Sequence, residues 1–527
     1  MRFSNIVIAA AAGAFLLSGC SQYPKLVEDY TRPRVIVTCD PELDDNNSMI
    51  RYVLYSPDFQ TEGLIYTSSQ FHWKGDGKGT KWYVPGREYE RFGVTKDSMT
   101  SWRWNPNERF IDDIVDAYEK CYPNLKVHDR NYPAPEELRS KIKWGNVDFD
   151  GEMDHDTDGS NLIKEIMLDD KPGPVFILGW GGSSTIARAL KSIADENQDK
   201  PGWDSLKKKI SEKCVLIGGD QDNLDTKYIK PNWPDIGRFP TRGGTVSISY
   251  NSQDRAKPED KVYYSPEWME KYISSKGPFG QLQRVWGDGK QMVPGDVMDP
   301  FGISYLGADS LKKLGYVIWT PVIEPKGAFL GEGDTGTFLN LMNIGLRSWW
   351  DVTWGGMGGR KKAIPEPEES IPAVSEWSTA SADSAARAAL MTKMMGPDPV
   401  IPDFLPDAMN GLAARFAWSV TPNYKDANHY PVVKGPLALE GKPGETLKLK
   451  CKVSDPDGNE VKIAWWNFRV GTYKGDEIKV ADPSAACTSF IIPEDAKPGQ
   501  TIHFVVKAED NGDPVLARYH RVVVTVK

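Results

Sequence analysis

The chain has 527 residues and a net charge of −9, a length that accommodates two or more domains with substantial hydrophobic cores. Its composition is that of an ordinary globular protein, which excludes the fibrous and intrinsically disordered classes. Proteins that bind nucleic-acid backbones usually carry clusters of basic residues. This chain is acidic overall and shows no such cluster in its sequence, so we expect no nucleic-acid polymer as a partner.

The first residues have the pattern of a secretion signal. Arg2 supplies a positive charge, and residues 6–17 form an apolar run of signal-peptide length, which is too short to remain as a membrane-spanning helix. The run ends in Leu17-Ser18-Gly19-Cys20, which resembles the lipobox of bacterial lipoproteins. A simple secretion signal with an incidental cysteine is the alternative interpretation.

The lipobox resemblance implies a signal peptide over residues 1–20, lipidation of the Cys20 thiol and a short tether over residues 21–33. Ser21 stands where an aspartate would favour retention in the inner membrane. We therefore expect a lipid-anchored protein of the cell envelope, in the outer membrane, which contacts the membrane through this anchor only. The sequence leaves open whether the protein faces the periplasm or the cell surface.

From Arg34 onward, short apolar runs alternate with stretches of helical periodicity. Val35-Ile36-Val37 is typical of a buried strand, residues 46–55 of a helix and Gly63-Leu64-Ile65-Tyr66 of a second strand. The same alternation continues with a strand over 175–178, a helix over 184–194 and a strand over 215–217. Such alternation indicates an open, mostly parallel sheet with helices on both faces, so we predict an α/β domain over residues 34–357.

Residues 358–428 differ from the α/β region and are predicted to form a helical extension or linker. Pro365-Glu366-Pro367-Glu368 is typical of a linker, and helices are expected over residues 383–395 and 407–417. The extension is expected to end where a region of alternating apolar and polar residues begins.

Residues 429–527 have the alternating pattern of an all-β domain. The alternating runs are separated by turn sequences such as Asp455-Pro456-Asp457-Gly458. About a hundred residues of short strands are typical of an immunoglobulin-like sandwich, which we expect to be a separable module. Cys451 and Cys487 lie in this region, and the sequence does not decide whether they form a disulfide.

Three aspartates cluster where the first predicted strand ends and the first helix begins: Asp40, Asp44 and Asp45. In open α/β sheets, ligands bind at the carboxyl ends of strands. Clustered carboxylates repel one another unless they share a proton or bind a positive group, and Ca²⁺ tolerates irregular sets of oxygen ligands. Capping of the helix N-terminus is the alternative, although one aspartate suffices for a cap. We predict a Ca²⁺ site here.

The sequence Asp40-Pro41-Glu42-Leu43-Asp44-Asp45 resembles the N-terminal motif of nucleoside hydrolases, although Thr38 replaces the first acidic residue of that motif. A wider resemblance, over nearly the whole mature chain, is to secreted bacterial proteins named cellulose-binding. These proteins join a nucleoside-hydrolase-like α/β domain to an immunoglobulin-like C-terminal domain. The resemblance consists of ordered matches at residues 44–52, 122–125, 179–182, 220–222, 331–335, 354–356, 428–431 and 455–458.

The nucleoside-hydrolase resemblance implies a role for each aspartate. Asp40 aligns with a Ca²⁺ ligand that is also the proposed general base, Asp45 with a second Ca²⁺ ligand, and Asp44 with the residue that binds sugar hydroxyls. Asp334 falls where the last Ca²⁺ carboxylate is expected, ahead of a helix predicted to begin near Thr337. A cap of that helix is the alternative interpretation of Asp334.

Four further residues are implied less directly by the same resemblance. Ser184 aligns, to within one position, with a residue whose main-chain carbonyl binds Ca²⁺, although a glycine-rich turn can serve packing alone. Gln70 and Asn232 align loosely with sugar-binding asparagines and could equally be surface amides. Glu332 is a candidate for contact with the sugar, or for proton donation, beside the metal.

Gly333 stands where nucleoside hydrolases place the histidine that protonates the leaving base. Because every presumed Ca²⁺ carboxylate is present, we expect Ca²⁺-dependent hydrolysis of a glycosyl bond in a sugar derived from a plant or microbial glycan, with Asp40 taking a proton from water. The missing histidine favours the alternative interpretation. The alternative is a non-catalytic carbohydrate-binding lipoprotein that retains the fold and the metal. The aromatic runs Trp102-Arg103-Trp104 and Trp349-Trp350 could line a sugar groove or belong to the core. The sugar, the linkage and the oligomeric state stay open, with a homo-oligomer as one option.

Overall fold

The computed structural model describes residues 32–239, 246–320, 324–351, 353–360 and 400–527. The predictions for the signal peptide, Cys20, most of the tether, the linker at 365–368 and the helix at 383–395 lie outside these residues. Across the described ranges, no helix combines the length and the apolar character that a membrane span requires.

A parallel sheet forms the centre of the N-terminal domain. Its strands are β1 (Arg34–Cys39), β2 (Gln60–Tyr66), β3 (Ile142–Trp144), β4 (Val175–Gly179), β5 (Cys214–Gly218) and β6 (Gly237–Arg238). The six strands follow the order β3-β2-β1-β4-β5-β6 in space, and every neighbouring pair is parallel. The predicted open parallel sheet is confirmed.

Helices cover both faces of this sheet. The longer ones are α1 (Leu43–Leu54), α2 (Phe110–His128), α3 (Asp158–Leu168), α4 (Ser184–Asn197), α5 (Trp203–Lys213) and α6 (Leu405–Val420). Val35 and Val37 of β1 pack with α1, α2 and α6, whereas Ile36 packs with α3, α4 and α5, because successive side chains of a strand point to opposite faces. Shorter helices lie at Glu88–Arg91, Pro135–Ser140, Lys230–Asn232, Pro266–Met269, Gly277–Leu282 and Ala308–Lys313.

The C-terminal domain is all-β, as predicted. Its strands are β7 (Val432–Lys434), β8 (Ala438–Gly441), β9 (Thr446–Lys450), β10 (Lys452–Ser454), β11 (Lys462–Asn467), β12 (Cys487–Ile491), β13 (Thr501–Glu509) and β14 (Ala517–Val526). One sheet has the order β11-β13-β14-β8, and β10-β7 and β12-β9 form two-stranded ladders. Leu449, Phe490, Phe504 and Val522 are buried in one cluster, so strands of two sheets enclose a core of their own.

A second hydrophobic core joins the two domains. Val505 of β13 and Tyr519 of β14 are buried in the same cluster as Phe416 of α6 and the helices over the first face of the parallel sheet. The Tyr519 amide donates a hydrogen bond to the carbonyl of Ile344 at 2.8 Å, and the Tyr519 hydroxyl donates to Asp407. This shared core argues against the expected separable module, because one face of β13 and β14 is covered by the α/β domain.

The described cysteines are all free thiols. Cys451 is buried at the end of β9, and Cys487 is exposed at the start of β12. The pairing that the sequence left undecided is therefore not formed in this structure.

We expect the two domains to unfold as one unit. Val505→Ala and Val522→Ala should each lower the Tm of the same calorimetric transition, although Val505 packs in the shared core and Val522 in the sandwich core. Each substitution removes buried methyl groups and should cost about 1–3 kcal/mol. Val262→Ala is the control, because Val262 is 52% exposed.

Truncation after Asn428 gives a second readout of the same coupling. Removal of residues 429–527 uncovers the α/β side of the shared core, so we expect an insoluble chain or one without a cooperative transition. A soluble truncated chain with a sharp transition of its own would restore the separable module.

Candidate functional site

The candidate site lies where the sheet changes the direction of its connections. The chain continues from β1 to β2 on one side and from β4 to β5 on the other, while β1 and β4 are neighbours. Such a switch point leaves a crevice outside the carboxyl ends of the two strands. Asp40 follows β1 directly, and the turn Gly181-Gly182 follows β4 across this crevice.

Asp40 is a buried carboxylate without a hydrogen-bond donor. Its side chain is fully buried, and neither carboxylate oxygen has a hydrogen-bond partner in the described part of the chain. A Cβ atom at position 181 would lie 3.2 Å from Asp40 Oδ2, so Gly181 keeps the carboxylate uncovered on that side. Buried polar atoms in native proteins are almost always hydrogen-bonded to protein or water, so the two unpartnered oxygens of Asp40 indicate a site that can bind a ligand.

Asp45 and Asp334 lie close enough to Asp40 and to each other for their charges to interact. Asp45 Oδ1 also accepts a hydrogen bond from the Asp40 amide at 3.2 Å. Burial raises the pKa of Asp45 well above the ordinary value, and the charges of Asp334 and Asp40 raise it further. Burial likewise raises the pKa of Asp334, with added repulsion from Asp44 and Asp40. The three carboxylates that were predicted as Ca²⁺ ligands thus lie within range of one another's charges.

Asp44 and Glu42 complete the cluster from the accessible side. Both are half-buried, and one oxygen each from Glu42, Asp44 and Asp45 lies within 4.8 Å of the others. Burial and the charge of Asp40 raise the pKa of Asp44 to about 6, although Asp44 Oδ1 accepts a hydrogen bond from the Tyr250 hydroxyl at 3.2 Å. Burial, then the charges of Asp44 and Asp40, raise the pKa of Glu42 well above its ordinary value.

Buried polar residues of α1 hold the distant loop that carries Asp334. Asn47 donates a hydrogen bond to the carbonyl of Gly331 at 2.8 Å, and the Ser48 hydroxyl accepts one from the Thr335 amide at 3.1 Å. Helix α1 thus supplies two carboxylates of the site, Asp44 and Asp45. Its following residues supply the hydrogen bonds that hold the loop of Asp334 in place.

Glu332 is part of this support and not of the sugar-contacting set. Arg51 and Glu332 form a buried ion pair, in which Arg51 Nη2 donates to Glu332 Oε1 at 3.2 Å, and the Thr335 hydroxyl donates to Glu332 Oε2 at 3.2 Å. Glu332 is only 1% exposed, so its carboxylate is not accessible to a sugar. We therefore correct the prediction for Glu332: it anchors the loop of Asp334 to α1.

Ser184 and Gln70 lie close to the site with their polar groups already engaged. The Ser184 amide donates to Asp222 Oδ2 at 2.9 Å, while the residue of this turn that lies against Asp40 is Gly181. Gln70 is 2% exposed, and its Nε2 donates to the carbonyl of Gln221 at 2.8 Å. Their roles at the metal and the sugar stay predictions.

Asn232 is separate from these residues. It is exposed in the short helix Lys230–Asn232 and donates to the Tyr228 carbonyl at 2.8 Å. This arrangement is that of a surface amide, the alternative that the sequence left open.

Gly333 is required by the position of Asp44. A Cβ atom at position 333 would lie 2.2 Å from Asp44 Oδ2, so a side chain there would displace the aspartate. The expected helix near Thr337 is wrong: Gly333–Thr337 is a single 3₁₀ turn that ends at that residue, because this stretch contains two glycines, which disfavour a longer helix. Asp44, which was predicted to bind sugar hydroxyls, thus occupies the space that a histidine side chain at position 333 would need.

The tryptophans that could have lined a groove are mostly core residues. Trp102, Trp104 and Trp349 are each less than a tenth exposed. Between the first two, Arg103 donates to Asp296 Oδ2 at 2.8 Å and to Glu88 Oε2 at 3.3 Å. The core interpretation of these aromatic residues is favoured.

Two residues of the site were not selected from the sequence. His72 is 2% exposed, and its Nδ1 lies 3.4 Å from Asp40 Oδ2. Tyr250 reaches Asp44 from a segment far along the chain. His72 follows β2 by six residues, so the rule that adjacent parallel strands end at the same edge could have found it; Tyr250 offered no such signal.

Comparisons with known proteins agree with this architecture. Residues 34–360 match the family model described as cellulose-binding Sde182, nucleoside hydrolase-like domain, and residues 446–526 match that of cellulose-binding protein Sde0182, C-terminal domain. A nucleoside hydrolase-related protein from Saccharophagus degradans, described as associated with carbohydrate metabolism, has a similar structure. It has a TM-score of 0.64 and 24% identity, over 94% of this chain and 100% of its own.

A weaker likeness involves titin M4, with a TM-score of 0.14 and 15% identity over 19% of this chain and 98% of its own. It carries no weight for the fold. No curated relative matches the chain.

The raised pKa values of the cluster predict how stability depends on pH. Glu42, Asp44, Asp45 and Asp334 hold protons in the folded state that the unfolded chain has released. Their contribution to the stability of the chelator-treated protein should therefore fall as the pH rises from about 5 to about 8. Thermal unfolding at both pH values measures this.

Buried histidines make the stability rise with pH, because burial lowers the pKa of His128 and of His429. The informative comparison is therefore between the wild type and Asp45→Asn. The variant should lose less stability over this pH interval, and an equal loss in both proteins would contradict the repulsion described above.

Proposed function

The chain belongs to the family of cellulose-binding Sde182 proteins with a nucleoside hydrolase-like domain, and on that premise we propose that it is a Ca²⁺-dependent hydrolase of glycosyl bonds. The substrate class would be a sugar derived from a plant or microbial glycan. The family description and the fold support an association with carbohydrate. The metal and the turnover are the parts that this proposal adds.

The observation that carries the proposal is the state of Asp40. Both of its oxygens are buried without a donor, among carboxyl groups whose pKa values are raised by burial and by one another. Ca²⁺ takes six to eight oxygen ligands in irregular geometry, typically at about 2.3–2.6 Å. Asp40, Asp45 and Asp334 would hold the ion, with Ser184 as an expected main-chain ligand.

Ca²⁺ bound there would supply positive charge that favours the ionisation of water and orients sugar hydroxyls. Asp40 would accept the proton from water as the water oxygen bonds to the anomeric carbon. The bond from that carbon to the leaving oxygen would break, and its electron pair would leave with that oxygen. Asp44, with Tyr250 beside it, would accept hydrogen bonds from sugar hydroxyls on the accessible side.

The leaving group should be one that needs little protonation. Gly333 carries no acid, and Asp44 fills the space that a side chain there would need. Glu332 is neutralised by Arg51. A nucleobase departs poorly without an acid near its ring, whereas a phenolate departs readily. The site therefore suits cleavage of a sugar–oxygen bond better than cleavage of a sugar–nitrogen bond.

A non-catalytic carbohydrate-binding protein that retains the fold and the metal is the second candidate. The same missing acid at Gly333 favours it. In either case we propose that Cys20 anchors the protein by lipid in the outer membrane of the cell envelope.

We expect Ca²⁺ to raise the Tm of the chelator-treated full chain, because an ion that binds only the folded state stabilises it by about 2.7 kcal/mol at 100 times its Kd. Asp45→Ala and Asp334→Ala should abolish most of this shift. Asp58→Asn is the matched control, since Asp58 is a buried aspartate with a raised pKa outside the site. An unchanged Ca²⁺ response in both site variants would contradict the assignment.

The same preparations should cleave nitrophenyl glycosides faster than inosine or uridine, and only with Ca²⁺. Asp40→Asn should abolish cleavage while sugar binding persists, because the amide cannot take a proton. Robust nucleoside cleavage would overturn the argument about the leaving group. Binding of glycans without cleavage of any glycoside would favour the second candidate.

A further inference from the structure

The cluster at the end of β1 contains a second set of donors that includes a nitrogen. One atom each from Asp40, Glu42 and His72 lies within 4.8 Å of the others, and this set overlaps the all-oxygen set of Glu42, Asp44 and Asp45. We propose that Asp40, Glu42 and His72 form a separate site for a first-row divalent metal ion of the Zn²⁺ class. This proposal does not rest on glycosyl hydrolysis or on the binding of Ca²⁺.

The imidazole of His72 is aimed at Asp40 without making a hydrogen bond. Its Nδ1 lies 3.4 Å from Asp40 Oδ2, and both atoms are buried with no hydrogen-bond partner among the described residues. Buried polar atoms in native proteins are almost always paired with protein or water. Three such atoms side by side, counting Asp40 Oδ1, are explained by a cation between them.

His72 is held on a rigid segment. The Ser69 hydroxyl accepts hydrogen bonds from the amides of Phe71 at 3.0 Å and His72 at 3.2 Å, and the His72 carbonyl accepts one from the Ser69 amide at 2.9 Å. The next residue, Trp73, exchanges two backbone hydrogen bonds with Trp102 at 2.9 and 3.0 Å. Metal ligands are held in this way, because a fixed backbone lowers the entropy lost on binding.

The cation that acts on this set is already paired with other carboxylates. Arg103 is the cation whose charge lowers the pKa of Glu42, but its guanidinium donates to Asp296 and Glu88. Glu88 in turn lies near His72, whose charge acts on the pKa of Glu88.

The chemistry of the donors selects the ion. Ca²⁺ prefers oxygen ligands alone, whereas imidazole suits Zn²⁺ and its neighbours in the first transition row. Two carboxylates and one imidazole are three protein ligands, the number typical of a zinc site that keeps an open position. Because Asp40 has two unpaired oxygens, it can serve this ion and Ca²⁺ together.

The test is calorimetric titration of the chelator-treated full chain with ZnCl₂ and, separately, with CaCl₂. His72→Asn should weaken Zn²⁺ binding at least about tenfold and change Ca²⁺ binding by less than about twofold. Asp45→Asn should do the reverse. His155→Asn is the matched control, because His155 is an exposed histidine paired with Glu152, and it should change neither titration.

Equal Zn²⁺ affinity in the wild type and His72→Asn would overturn the proposal. If His72→Asn does not fold, anomalous diffraction at the zinc edge on wild-type crystals decides: the expected peak lies about 2.0–2.1 Å from His72 Nδ1, and a peak elsewhere, or none, overturns the proposal. Zn²⁺ bound through His72 without any Ca²⁺ binding would refute the proposed Ca²⁺ function and leave this site standing.

Discussion

Five carboxyl groups crowd the space beyond the carboxyl end of β1, although burial makes their charges costly. Asp40 and Asp45 are buried, and Glu42, Asp44 and Asp334 surround them on the accessible side. The neighbouring backbone is shaped to admit them: Gly181 leaves Asp40 uncovered, and Asp44 fills the space beside Gly333. A cation bound among these groups would relieve their repulsion, and this is the basis of the proposed Ca²⁺ site.

The rest of the α/β domain serves to hold the two sides of this cluster at a fixed distance. Helix α1 carries Asp44 and Asp45 in its first turn and, farther along, Arg51, which pairs with Glu332 in the loop of Asp334. Glu332 lies 281 positions after Arg51 in the chain. The placement of its loop therefore depends on the whole domain. The C-terminal strands buttress the same domain through the shared core.

Local patterns predicted the parallel sheet, the main helices and the aspartate cluster, because strand periodicity and the switch-point rule both act over short stretches. What escaped prediction depends on contacts between distant segments. His72 has no motif of its own and becomes a neighbour of Asp40 only when β2 pairs with β1. The sequence suggested that Glu332 is a free acid, because Arg51, with which it forms an ion pair, lies far from it in the chain. The outer face of β14, with Tyr519, carried no sign that another domain covers it.

The central claim is that the carboxylate cluster is a cation site, and a crystal structure of the chelator-treated protein soaked in CaCl₂ tests it most directly. The account predicts a peak that is too strong for water, about 2.3–2.6 Å from oxygens of Asp40, Asp45 and Asp334. Only water-level density at this position at saturating Ca²⁺ would contradict the claim.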